Sequence, residues 1–185
     1  MPPGARYRVR VNASAVDQST YQIRFEWGAR ALRVLAPADV TVVVDALPGL
    51  RELDLGAVEG RVVRAGLTDR SAVARWILER QHENGGRTSV NLVAAGEADS
   101  SGETRFAMED HLAAGALIDA LIGLGIDHVS PEAAVACASY EGLRRACGHL
   151  LTASTSGRLL TAQGREQEVR LAARVDTRDE VEVLR

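Results

Sequence analysis

VTVVVDAL at residues 40–47 and SVNLVAA at residues 89–95 are two nearly continuous apolar runs rich in β-branched side chains. Such runs, bounded by turn residues and lacking polar alternation, predict strands buried on both faces of a parallel sheet. Between them, residues 62–65 read as a further strand and Gly66 as a turn. Residues 69–83 read as a helix in which Val73, Trp76, Ile77 and Arg80 follow one stripe until Gly85 and Gly86 stop it. Strand, helix and strand with short joints predict parallel strands linked by right-handed crossovers, with a ligand site at the carboxyl ends of the strands.

Upstream, residues 21–27 (YQIRFEW) alternate as a strand and residues 28–35 make a short helix that stops before Pro37. Residues 48–60, with Gly49, Gly56 and Gly60, read as a loop or short helix. Downstream come a polar loop at 96–104, a helix at 108–124 ending at Gly125, and a helix opening on Ser130, Pro131 and Glu132 that runs to about residue 151. A break at 152–157 leads to a short helix near Arg158, and residues 168–175 and 181–184 read as two closing strands. The fold class is α/β, a mainly parallel sheet with flanking helices.

The chain has 185 residues, which at about 150 per domain predicts one domain over 1–185. Hydrophobic residues are 46% and charged residues 25%, an ordinary globular balance that excludes disorder and disulfide scaffolds. A net charge of −3 supplies no basic field for nucleic acid or an anionic membrane. All 22 basic residues are arginine, which excludes lysine Schiff bases, a pyridoxal phosphate anchor and a P-loop lysine. Cys137 and Cys147 read as positions on one helix, on different faces and about 15 Å apart, too far for a disulfide or a shared metal. Reduced thiols, no apolar leader near the start and no long apolar run point to a cytoplasmic protein.

Three carboxylates stand out by position. Asp45 ends an apolar run, where an ionised group is costly unless paired or coordinated, though it can also lie just past the sheet edge. Glu109 and Asp110 open a helix entered from the run ending at Ala95, where they either complement the helix dipole or join Asp45 as oxygen ligands for Mg2+. His111 follows them as an acid or base, although an ideal helix turns it about 100° from Asp110. Ser156, Gly157 and Arg158 place a hydroxyl, a free amide and a guanidinium at a helix start, either an anion seat or a plain cap. Arg24 lies between Ile23 and Phe25 on a strand and reaches either the site or a salt bridge, and Asn91 is the polar residue inside the second run. The four histidines lack paired zinc spacing, and no GxGxxG fingerprint is present.

VNLVAAGE (90–97) followed by RFAMEDHLAAGALIDAL (105–121) resembles the core signature of the 2-phosphosulfolactate phosphatases, the ComB-like proteins. QIRFEWG with ADVTVVVDAL is similar to their N-terminal strands, AVARWI to the middle helix, and SGRLL with AARVD to the C-terminus. The resemblance implies an α/β fold and a Mg2+-dependent phosphatase site for a small sulfonated carboxylic acid. The positions that match the family are Asp45, Glu109 and Asp110, expected as metal ligands; with the residue reading above, Asp45, Asp110 and His111 are the catalytic candidates and Arg24, Asn91, Ser156, Gly157 and Arg158 the substrate-binding ones. This sequence departs from the family pattern after Leu47, where part of the central region is missing, and at Ala113. The expectation is a shortened, diverged member whose original activity is lost or altered. Two readings stand: a hydrolase for a small phosphorylated or sulfonated acid, or a non-catalytic relative that binds an anionic metabolite or a protein partner. A truncated fold leaves apolar surface that a homodimer would cover.

Overall fold

The structure, a computed structural model, describes residues 16–47, 53–98, 101 and 104–185. The two apolar runs lie side by side in it. β2 (Val40–Val44) and β4 (Val90–Ala94) pair in parallel, Val40 opposite Val90 and Val44 opposite Ala94, and every residue of both is buried. β1 (Ile23–Trp27) pairs in parallel with β4, and β3 (Arg61–Ala65) with β2. A short β7 (Glu182–Val183) adds antiparallel to β3, so the order is β1-β4-β2-β3-β7.

Alternation along the strands assigns the two faces. Val40, Val42, Val44, Val90, Leu92 and Ala94 point into the main core, whereas Val93 meets Ala31 and Leu35 of the segment around α1 (Gly28–Val34) on the other side. The main core is roofed by α2 (Arg70–Asn84) and by α3 (Met108–Gly123), whose Leu112, Leu117, Ile118 and Leu121 are at most 1% exposed. α3 is apolar almost all round because α4 (Pro131–Leu143) covers its outer side. The two helices meet at Gly115, where an added Cβ would lie 2.1 Å from the Ala136 carbonyl oxygen.

Three sequence expectations are corrected. The helix from Ser130 ends at Leu143; a 3-10 turn (Arg144–Ala146) and a separate α5 (Cys147–Ala153) follow, with Gly142 and Gly148 flanking the break. Cys137 and Cys147 therefore sit on different helices, both buried and free. After α6 (Thr155–Ala162), residues 168–175 belong not to a strand but to α7 (Glu166–Ala172) and the turn beyond it. There Val169 and Ala172 pack inward one helical turn apart, and Arg170 pairs with Glu166 across i,i+4 at 2.7 Å. The polar loop after β4 closes on itself as a two-residue ladder of β5 (Glu97–Ala98) with β6 (Thr104–Arg105). Residues 1–15 and 48–52, parts of the opening segment and of the 48–60 connection, lie outside the described residues.

The outer edge of β1 is closed without another strand. Ile23 N donates to His128 O and Ser130 N to Ile23 O, the Gln18 side-chain amide pairs with both the N–H and the C=O of Phe25 at 3.0 and 2.9 Å, and Glu26 Oε1 takes the N–H of Trp27. At the other end of the chain, Asp176 N donates to Leu67 O and the amides of Thr177 and Arg178 to Thr68 O. Arg70 holds this strap through Asp176 at 3.0 Å and reaches Asp119 at 2.9 Å.

Candidate active site

The last ladder bond between β4 and β2 runs from Ala95 N to Val44 O at 2.9 Å, and β2 keeps one further bond to the end of β3, from Asp45 N to Ala65 O at 3.1 Å. Asp45 follows β2 immediately and Glu97 follows β4 after the Gly96 turn, so a parallel register delivers two carboxylates to one edge. Glu109 and Asp110 arrive from above, in the first turn of α3, each 3% exposed. Ser156, 1% exposed at the start of α6, contacts the carboxylates of both Glu97 and Glu109 through its hydroxyl, and Arg105 pairs with Glu97. Asp110 accepts from Ala46 N with Oδ1 and from Gly96 N with Oδ2, both at 2.9 Å.

The electrostatics follow from crowding like charges under an apolar roof. Burial pushes the Asp45 carboxyl up to about 6; Arg64 and the Leu47 amide oppose the shift, and Glu109 and Glu97 add to it. Burial, and then the neighbouring Asp45, push Asp110 well above the usual carboxylate range against its two amides. Beside Asp45 opens a cleft of about 540 Å³, whose walls include Arg64, Thr68, Asp69, Arg174 and Arg178. Asp69 is 7% exposed, its carboxyl raised by burial, and it accepts from Gly66 N at 2.8 Å.

The structure brings Asp45, Glu109, Asp110 and Ser156 together and leaves the other sequence candidates apart. Arg24 forms no salt bridge among the described residues: its guanidinium is spent on the carbonyls of Tyr21, Ala36, Pro37 and Ser19. Asn91, paired with Arg24 in register, donates to Ala36 O on the α1 face and near the opposite end of the strands from Asp45. His111 stacks on Trp27 at 6.0 Å and touches Phe25 and Phe106, with Nε2 3.3 Å from Ser139 Oγ; burial lowers its pKa. The Gly157 amide is taken by Ser154 Oγ at 3.0 Å, which caps α6, and Arg158 is exposed. Glu97, Asp69 and the strap arginines were missed by sequence reasoning. Glu97 carries the same signal as Asp45, a carboxylate just past an apolar strand, whereas Arg174 and Arg178 reach the cleft only through the chain reversal at the C-terminus.

A separate candidate metal cluster lies on α3 and α4. The ligand atoms of Asp119, Cys137 and Glu141 all fall within 4.8 Å of one another. Asp119 is already paired with Arg70, and burial, Glu141 and Asp119 push the Cys137 thiol up to about 11.

An open, mostly parallel sheet with acidic side chains gathered at its carboxyl edge, beside a cleft partly walled by arginine, defines an α/β protein whose candidate ligand site lies at that edge. Comparison with known families narrows this: the 2-phosphosulpholactate phosphatase family matches residues 32–185, and the chain belongs to that family. The match makes this a phosphatase family whose substrate is a small phosphorylated anion; β1 and the whole of QIRFEWG (22–28) precede the matched residues. No curated protein matches the chain. No helix among the described residues is long and apolar enough to cross a membrane.

Proposed function

We propose that this protein is a Mg2+-dependent phosphatase-like hydrolase for a small phosphorylated or sulfonated carboxylic acid, acting in the cleft beside Asp45. The observation that carries this reading is the carboxylate cluster at the ends of β2 and β4 in a chain of a phosphatase family. The donor set fits the ion. Hard cations take carboxylate and hydroxyl oxygens, and Glu97 and Glu109 bring two carboxylates to the one hydroxyl of Ser156, an oxygen-rich set of that kind. Asp45, Glu97 and Glu109 would hold it; bound there, Mg2+ supplies charge to a phosphoryl oxygen.

The chain's own groups support the remaining roles. Arg64, Arg174 and Arg178 meet the anionic groups of the substrate, and Asp69, whose carboxyl is raised by burial, lines the same cleft and exchanges a proton with the substrate. Water oxygen attacks phosphorus, the P–O ester bond breaks, the leaving alkoxide takes up a proton, and inorganic phosphate and a hydroxy acid result. The 45–60 connection between β2 and β3 lacks the central block that the family resemblance leads one to expect after Leu47, which supports an altered activity. Exposed Val135 and Leu143 on α4, with Phe106 in the connection before α3, support a homodimer.

The test is calorimetric titration of Mg2+ and Mn2+ into wild type and Asp45→Asn, followed by phosphate release from 2-phosphosulfolactate. Metal binding that is lost in the variant, together with metal-dependent phosphate release, is expected. Absence of binding at millimolar metal would leave a non-catalytic protein that keeps the fold.

A further inference from the structure

Asp110 was expected to be a metal ligand, and its hydrogen bonds point to another role. Each of its carboxylate oxygens already carries a backbone amide at 2.9 Å, whereas Glu109, equally buried at 3% exposure, meets the side-chain hydroxyl of Ser156. The two amides are not arbitrary. Ala46 is the residue after Asp45 and Gly96 the residue before Glu97, so one side chain grips the backbone next to each of the two carboxylates that leave the sheet. Past Ala95 N and Val44 O the ladder between β2 and β4 ends, Asp45 N turning to Ala65 O of β3 instead, and no further bond of that ladder sets the separation of the two exits. Gly96 is held in the left-handed region at φ +64, and a Cβ there would lie 2.7 Å from Thr104 Cγ2 and 2.9 Å from Arg105 O, so the turn that aims Glu97 has little other freedom.

We infer that Asp110 is a positioning residue rather than a ligand: it buckles the exit of β2 to the exit of β4 and thereby sets the spacing between Asp45 and Glu97. The inference rests on the proposed site. A bidentate buckle needs an oxygen facing each amide, and the two carboxyl oxygens of Asp110 supply both; an asparagine amide supplies one acceptor and turns a donor against the second N–H.

The test uses the intact chain, with Mn2+ alone as the probe. In metal-free wild type, amide exchange at Ala46 and Gly96 should be as slow as in the β2–β4 ladder; in Asp110→Asn at least one of the two should exchange at least about tenfold faster while the ladder stays protected. The variant should still bind Mn2+ with unchanged stoichiometry and about 10–100-fold weaker affinity, the usual loss when support for ligands is removed, whereas Asp45→Asn should abolish binding. Rapid exchange at Ala46 and Gly96 in wild type, which needs no folded variant, would overturn the inference. So would an Asp110→Asn protein that loses Mn2+ as completely as Asp45→Asn with unchanged exchange. If wild type binds no Mn2+, the metal-dependent reading fails, and the exchange data still decide whether the buckle exists.

Discussion

Alanine at Gly115 should damage this fold, while the same substitution at Gly142 should strengthen it. A Cβ at Gly115 would stand 2.1 Å from Ala136 O, 2.8 Å from Ala136 C and 2.8 Å from Tyr140 Cβ, so α3 and α4 must move apart along backbone rather than rotate a side chain away. Overpacking of that kind costs about 1–3 kcal/mol, and backbone contacts put it at the upper end, near ~3. Helix propensity returns about 1 kcal/mol for replacing glycine, leaving a net loss of about 2 kcal/mol. Gly142 lies in α4 with nothing within 4 Å of its built Cβ, so only the propensity gain of about 0.5–1 kcal/mol applies. For a chain of this size the two effects mean a fall of about 4–8 °C and a rise of about 1–4 °C in Tm, measured by thermal circular dichroism. A Gly115→Ala protein melting at or above wild type would refute the argument that α3 and α4 touch through backbone. Because α3 carries Glu109 and Asp110, separation of the helices should also lower metal affinity.

The raised Asp45 carboxyl makes the metal-free protein less stable as pH rises. Its proton is held up to about pH 6 in the folded chain against about 3.9 unfolded, so stability is full below about pH 4 and falls through pH 6 by at most about 3 kcal/mol. Urea unfolding of wild type and Asp45→Asn at pH 4 and pH 7 should show the variant gaining relative to wild type at the higher pH; equal pH dependence would contradict the shift. Arg70→Ala removes the shared cation of Asp119 and Asp176 and should cost about 1–3 kcal/mol. It should also expose residues 174–185 to limited proteolysis, and an unchanged digestion pattern would show that the strap is held by its backbone bonds alone.

The sheet was legible because its strands are doubly buried: a run such as VTVVV has no polar face to confuse the period. The end of the chain was less so. EVRLAARV alternates well enough for a strand, and only the spacing of Val169 and Ala172 with flanking i,i+4 charges, meaningful once a neighbour supplies a core, makes it helical. Asp45, Glu109 and Asp110 were legible as a group because strand ends and helix starts converge in a parallel fold. Their division of labour was not, since it depends on which oxygen meets which amide, a matter of two bonds at 2.9 Å. Arg24 misled because a cation among apolar residues suggests a partner anion, and here carbonyl oxygens at 2.9 to 3.4 Å take that place.

The closed flank of β1 limits how this molecule can meet its own kind. Gln18 imitates a strand residue at Phe25, and the 128–130 segment does the same at Ile23, so a second chain finds no free backbone donors or acceptors at those positions to zip onto. Self-association by sheet continuation is denied on that side. Assembly is left to side-chain complementarity, which a sequence can tune one residue at a time without endangering the ladder that carries Asp45 and Glu97.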